Sequence, residues 1–474
     1  MRKTIVAIFF LYVLLPDISS VKAATNATTI LFGGVSLSAN YNIRKTETET
    51  TDGWDAYASA NFSLVHSRRA KNGALTISYG QSFSYNFRTA EDSFADSDLL
   101  MNINTWRNLS SRLRFNLSDT LIRSIDWWAD NLSSTATGIP DDPLDEDGED
   151  TIDDNTAQTT PTFSSTIGRQ KFWTNSFSTS LDYQTTRNSA VTIYYNNRIL
   201  KYDEPDQNNY KYNKAGSNIS YSFYRGWNTS LSYSYTDADF DITEDYIGHD
   251  VDFNLNYVHS LSLRDSISAG LDYHYNEKNY DIPSADIPIG PSDYKSSYYS
   301  VGANLGWTHA FSARKRLSMS AGPQYLKRDD DTERISASFN INYTSQFENG
   351  SWFVGANGGF SDNFDETRYF DRADEGLSEY QSINTGVSWQ VAKDLSASLG
   401  ASIRNDSFLE NPLASDEKTY LAFGNISYSF WRWFYVSGRY VYTNVQYDLD
   451  ANDYQEHRFF ITLGTSRELY RWIH

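Results

Sequence analysis

From about residue 35 onward the chain alternates apolar with polar residues, and this two-residue period restricts its fold more than any other feature. Val35, Leu37, Ala39, Tyr41 and Ile43 share one parity, while Ser36, Ser38, Asn40 and Asn42 share the other. Leu75, Ile77, Tyr79, Phe83, Tyr85 and Phe87 are opposed in the same way by Thr76, Ser78, Gly80, Ser82, Ser84 and Asn86. Successive side chains of a strand point to opposite faces, so each segment is a ribbon with one apolar and one hydrophilic side. The period returns in 173–183, 219–223, 251–257, 267–275, 301–307, 335–343, 383–389 and 420–430. Segments of about ten to fourteen residues match a tilted strand crossing an outer membrane.

Composition agrees with alternation instead of dry cores. Aromatic residues make up 16% of the chain, yet hydrophobic residues reach only 39% and mean hydropathy is -0.57. Apolar side chains spread over every second position give that combination. There is no cysteine, which favours a bacterial envelope protein held by strand pairing over a disulfide-bonded secreted one. Residues 1–23 read as a secretory signal: Arg2 and Lys3, an apolar run from Ile5 to Leu15, and the small-x-small pattern Val21-Lys22-Ala23. The mature domain is then 24–474. A net charge of -20 argues against nucleic acid as a partner.

The connections alternate between short and long. Short ones fall at 108–110, 185–189, 224–227, 260–265, 347–351, 392–394 and 431–433, and long ones at 120–170, 277–295, 361–377 and 405–417. Charge follows length: Arg68, Arg69, Lys71, Arg225, Arg264, Arg314, Lys315, Arg316 and Arg432 mark short turns, whereas Asp237–Asp241, Asp329–Asp331 and Asp371–Glu375 mark long loops. Trp227, Trp307, Trp352, Trp389, Trp431 and Trp433 cluster near the short-turn ends, as the aromatic girdle of a membrane interface would. We therefore expect an all-β transmembrane antiparallel up-and-down β-barrel in the bacterial outer membrane. It should have about twenty strands, or eighteen if the hairpin near 93–119 does not form, with both ends on the periplasmic side. Soluble sandwiches and β-solenoids use shorter strands and give no reason to sort loop length, charge and Trp by end.

If the apolar side meets lipid, the other side lines the lumen. Ser180, Asp182, Ser232, Asn254, Asn256, Asp272, Asn304, Asn340 and Asn384 are the expected pore-lining residues. They predict a small, mostly uncharged wall, with neither an arginine ladder nor an aromatic track, and with Arg112, Arg114, Asp272 and His274 as charged or titratable exceptions. Segment 120–170 is expected to be a long acidic extracellular loop or plug. Its Asp145, Asp147, Asp150 and Asp153 could hold a divalent cation, although Pro143 spoils an EF-hand match and a solvated acidic loop explains them as well. No cofactor is expected. Nor is enzymatic activity: serine is too abundant to single out a nucleophile, and His274 beside Asp272 is the best candidate base for a lipid hydrolase.

The long break after a fifth strand, re-entry through Gly168-Arg169-Gln170-Lys171-Phe172-Trp173, and Tyr/Ser-rich hairpins such as Val191–Asn196 and Leu231–Tyr235 carry a resemblance. The chain resembles the outer-membrane β-barrel porins found with exopolysaccharide biosynthesis and export systems, including those associated with PEP-CTERM sorting. The resemblance covers most of the mature chain and rests on compositional motifs. It implies a barrel through which a secreted polysaccharide leaves the cell, with outer-membrane lipid and lipopolysaccharide, the barrel-assembly machinery and periplasmic export components as partners, and it supplies no catalytic residue. The chain departs from the usual aromatic ending by running past Phe459–Leu463 into 465–474, where Trp472 is the aromatic candidate for the assembly signal. The competing expectation is a structural or surface-interaction barrel that engages lipopolysaccharide or matrix polymer through acidic, calcium-dependent loops.

Overall fold

The computed structural model describes residues 26–45, 50–86, 97–124, 172–203, 209–224, 226–241, 245–281, 293–362, 377–409, 416–430, 434–447, 454–465 and 470–473. All regular structure among them is β. The first five strands are β1 (Asn26–Lys45), β2 (Thr50–Ala70), β3 (Gly73–Asn86), β4 (Ser97–Asn108) and β5 (Leu113–Ser124). Next come β6 (Phe172–Thr186), β7 (Ser189–Tyr202), β8 (Tyr210–Tyr224), β9 (Trp227–Phe240) and β10 (Asp245–Ser260). They are followed by β11 (Asp265–Asp281), β12 (Asp293–Ser312), β13 (Lys315–Arg328), β14 (Glu333–Phe347) and β15 (Gly350–Asp362). The last are β16 (Leu377–Ala392), β17 (Leu395–Phe408), β18 (Glu417–Phe430), β19 (Phe434–Tyr447), β20 (Tyr454–Thr465) and the short β21 (Tyr470–Ile473).

From β1 to β20 each strand pairs antiparallel with the next in sequence, and the sheet closes on itself. One edge of β1 pairs with β2, from Asn26↔Arg69 to Lys45↔Thr50. The other edge pairs with β20 from Gly34↔Gly464 to Arg44↔Tyr454, and then with β21 from Thr28↔Ile473 to Leu31↔Tyr470. β21 thus prolongs the seam begun by β20, so the barrel has twenty strand positions. β4 and β5 pair from Leu99↔Arg123 to Asn108↔Arg114, so the uncertain hairpin near 93–119 forms and the alternative of eighteen falls away. In segment 465–474, Trp472, the aromatic candidate for the assembly signal, is paired with Thr29 in the closing seam.

Among the described residues, the two-residue connections 71–72, 187–188, 313–314, 348–349 and 393–394 all lie at one end. Four hairpins at that end carry a register irregularity just before the turn, at Gln184/Thr186, Ser222/Tyr224, Ala310/Ser312 and Gln390/Ala392. Such bulges add local twist, which helps a sheet curl into a closed wall. The first described strand begins and β20 finishes at this same end, since Asn26 pairs with Arg69 and Thr465 with Phe434.

The strands are longer than the alternation alone suggests: β1 and β12 have 20 residues, β2 has 21 and β11 has 17. Parts of the expected long loops are consequently strand, including 277–281, 293–295 and 405–408. The physical reason lies in the dimensions. Fourteen residues rising about 3.3 Å each and tilted by about 40° climb about 35 Å, more than the apolar band of about 25 Å. Outside lipid the selection for alternating hydrophobicity ends, but the backbone ladder continues. Of the expected loop or plug 120–170, residues 120–124 belong to β5 and 125–170 lie outside the described residues, as does the signal segment.

Sidedness follows from burial. Ile383 (57% exposed), Leu399 (61%) and Ile335 (78%) stand on the outer face, whereas Ser378 and Asp406 are fully buried on the inner side. A soluble protein does not leave a continuous band of bulky aliphatic side chains in water. We predict that Leu399→Arg costs about 2–4 kcal/mol of folding free energy in phospholipid vesicles, and that Ser398→Arg, one residue away on the other face, costs far less. Denaturant titration of both variants checks this, because Leu399 is already exposed and would tolerate arginine well if water were its surroundings.

Candidate functional site

The inner face is the surface available for function. Register places all nine expected lining residues on it. Ser180 lies opposite Asn116 and Tyr194, Asp182 opposite Arg114 and Thr192, and Ser232 opposite Asn218 and Asp252. Asn254 faces Ser230 and Asp272, while Asn256 faces Asn228 and Gly270. Asn304 lies opposite Gly270, Asn340 opposite Ser320 and Asn357, and Asn384 opposite Gly355 and Ser402.

These side chains are tied laterally around the wall. Asn116 Nδ2 donates to Ser180 Oγ at 3.0 Å and to Asp182 Oδ2 at 2.6 Å, and Thr192 Oγ1 donates to Asp182 Oδ1 at 2.8 Å. Ser232 Oγ donates to Asp252 Oδ2 at 3.1 Å. Ser234 Oγ donates to Asp250 Oδ2 at 3.0 Å, Lys214 Nζ stands 3.5 Å from the same oxygen, and Asn276 donates to the other. Polar groups that satisfy one another across strands hold a hydrophilic wall rigid without filling the interior. Glycine makes room for some of them: a Cβ on Gly302 would fall 2.3 Å from Asp272 Oδ2, and one on Gly355 2.2 Å from Asn384 Oδ1. Each polar side chain therefore lies flat across the glycine of the next strand.

The candidate base has a different partner from the expected one. His274 Nδ1 lies 2.5 Å from Asp252 Oδ1, not beside Asp272, and its Nε2 lies 3.0 Å from the Tyr298 hydroxyl. The reason is register, which sets Asp252 directly across from His274, whereas Asp272 sits two residues along the same strand and faces Asn254. The serine of this network, Ser232, donates to Asp252 and not to the imidazole. The imidazole thus bridges a carboxylate and a phenol in place of a carboxylate and a serine nucleophile.

The wall also departs from the small, uncharged lining expected of it. Toward the loop end Arg404 grips Asp406 in a bidentate pair, Nε and Nη2 each donating at 2.6 Å, and Arg458 pairs with Glu456. Phe172, Tyr202, Tyr210, Tyr212 and Tyr246 form a buried aromatic cluster with Leu200 on the inner side of β6–β10. Both features were hidden by placing these stretches in or near loops. The usable signal was i,i+2 spacing, as in Arg404-x-Asp406, Glu456-x-Arg458 and Tyr210-x-Tyr212, which sets two chemistries on one strand face.

On the outer face, rings pack against one another in a belt near the turn end. Trp227 and Tyr257 have centroids 4.7 Å apart, Tyr343 and Trp352 5.0 Å, and Trp307 and His309 5.4 Å. Trp389 shares this face and end, while Trp431 and Trp433 lie outside the described residues. Trp106 is at the same end but on the inner face, where Arg114 lies over its ring at 4.6 Å. Among the described residues no group of three or more histidines and acids is placed to hold a metal, and Asp145, Asp147, Asp150 and Asp153 lie outside them.

Residues 282–408, about a quarter of the chain, match the family model described as "Putative MetA-pathway of phenol degradation". The chain is similar to a BenF-like porin from Pseudomonas fluorescens Pf-5, with 10% identity over 94% of this chain and 99% of that one and a TM-score of 0.40. It is likewise similar to OccAB3 of Acinetobacter baumannii, with 9% identity, 95% and 100% coverage and a TM-score of 0.40. OccK5 (OpdH) of Pseudomonas aeruginosa gives 10% identity, 94% and 98% coverage and a TM-score of 0.38. No curated protein matches the sequence. With identities near a tenth and superpositions this loose, function has to be argued from the residues of this chain.

Asp406 offers a test of the inner network. Asp406→Asn should leave the partly buried Arg404 charge uncompensated and cost about 3–5 kcal/mol, whereas Arg404→Met with Asp406→Leu should recover most of that loss. Unfolding midpoints of the single and double variants read the difference.

Proposed function

We propose that the chain is an outer-membrane channel for hydrophilic solutes, and that its cargo is a secreted polysaccharide. The observation that carries this reading is the closed seam from β1 to β20 combined with opposite chemistry on the two faces. A closed sheet with a bulky aliphatic exterior fits a lipid environment, because each of β1 to β20 has a partner on both sides and no full-length edge is left in hydrocarbon. A barrel of this strand number encloses more space than its own side chains fill, so water or a plug occupies the middle.

The aromatic belt around Trp227, Trp307 and Trp352 fits a headgroup-level girdle at the turn end. Ser180, Asp182, Ser232, Asn254, Asn256, Asp272, Asn304, Asn340 and Asn384 then act as pore-lining groups. Hydroxyls and amides that already bond to one another offer a sugar chain many weak contacts and few deep ones. Such a wall allows sliding, since conduction needs binding favourable enough to enter and weak enough to leave. Passage on this mechanism is steric sieving with no covalent step. The compositional resemblance to barrels of exopolysaccharide export systems supports the choice of cargo.

Purified protein reconstituted in planar bilayers should show discrete conductance steps. If the intact chain conducts poorly, excision of 124–165 should raise conductance by removing a plug. Absence of conductance in both forms would contradict an open channel.

A further inference from the structure

We propose that the turn-end mouth of the barrel carries a binding site for an acidic oligosaccharide, a proposal that rests on the channel reading and specifies its solute. Connections 71–72, 109–112 and 187–188 come side by side there and, with the inner face of β5–β8, enclose a depression of about 800 Å³. That size lies within the range of small-ligand sites. Three guanidiniums line it, Arg112, Arg114 and Arg187, against one carboxylate, Asp182. This is a local cationic excess in a chain whose net charge is -20.

The guanidiniums are not neutralised by the protein. Asp182 stands directly opposite Arg114 in the ladder, yet it accepts from Asn116 and Thr192. Arg114 Nε donates instead to Asn116 Oδ1 at 2.9 Å, and its cationic group lies over Trp106. Arg112 Nη1 reaches only the Thr185 carbonyl, at 3.5 Å. Among the described residues no carboxylate lies within ion-pair distance of any of the three. The loop end differs, because Arg404 and Arg458 there are closed by Asp406 and Glu456.

Guanidinium forks match the geometry of a carboxylate, and hydroxyl and amide groups from Ser110, Asn188 and Ser222 suit a polyhydroxylated chain. A saccharide bearing carboxylates satisfies both halves of this lining. A simple dicarboxylate satisfies only one. The depression lies where a solute entering from the turn side meets the wall first, so charge selects at entry and the paired wall beyond it does not hold what has been selected.

The test uses the full chain in planar bilayers, with hexameric oligogalacturonate, maltohexaose or citrate added to one side at a time. Oligogalacturonate added on the turn side should block current at a concentration at least tenfold below that of maltohexaose or citrate. The variant R112Q/R114Q/R187Q should weaken that block at least tenfold and shift the reversal potential toward cations. Arg187→Gln alone, in an exposed turn that a substitution cannot unfold, should weaken it about threefold. Equal block by the neutral hexamer, or no change in either variant, would overturn the site, and equal potency of citrate would overturn its saccharide character. A chain that never conducts defeats the channel reading, and calorimetric titration of oligogalacturonate into detergent-solubilised protein then decides the site by itself, with binding lost in the triple variant expected and no binding to the parent contrary.

Discussion

A strand edge buried in hydrocarbon leaves a row of N–H and C=O groups with no water to bond, at a cost of several kcal/mol for each. The pairing of β1 with β20 removes both of the edges that the sheet of β1 to β20 would have if it were open. Everything else here depends on that seam. It runs for eleven residue pairs from Gly34↔Gly464 to Arg44↔Tyr454, and β21 extends it toward the turn end through Thr29↔Trp472. With the edges gone, the two faces are free to serve two solvents.

Division of the two faces sets the energetics. Outward positions such as Ile383, Leu399 and Ile426 are more than half exposed, which is sensible only if their surroundings are apolar. Inward positions bury polar and charged groups nearly completely, Ser378, Asp406, Thr419 and Glu456 among them, and the price is met by lateral hydrogen bonds and ion pairs. Stability on the outside thus comes from the membrane, and on the inside from polar groups satisfying one another. Function then belongs to the inner face, where the hydrogen-bonded wall and the unpaired guanidiniums of the turn-end mouth present different chemistry along the path.

The strand period, the sorting of turns and loops, and the common face of the nine polar residues from Ser180 to Asn384 could be read directly, because alternation alone separates the two faces of a strand. Asn254 and Ile383 are unambiguous for that reason. Arg404 and Asp406 were not, since at the loop end both faces of a strand leave the membrane and polar residues on both sides look like a loop. The partner of His274 was illegible for another reason: cross-strand neighbours depend on register, and only the pairing of β10 with β11 sets Asp252 opposite it. The mouth depression needed three turns that are distant in sequence to be brought together, which no local pattern records.

The chain has no cysteine, so single introduced cysteines give clean spin-label sites. Labels placed one at a time through 381–389 of β16 in lipid bilayers test the central claim most directly. The account predicts that labels at 383, 385, 387 and 389 collide with dissolved oxygen and those at 382, 384, 386 and 388 with a water-soluble nickel chelate, in strict alternation. Equal access of the chelate to both sets, or no period of two, would contradict it.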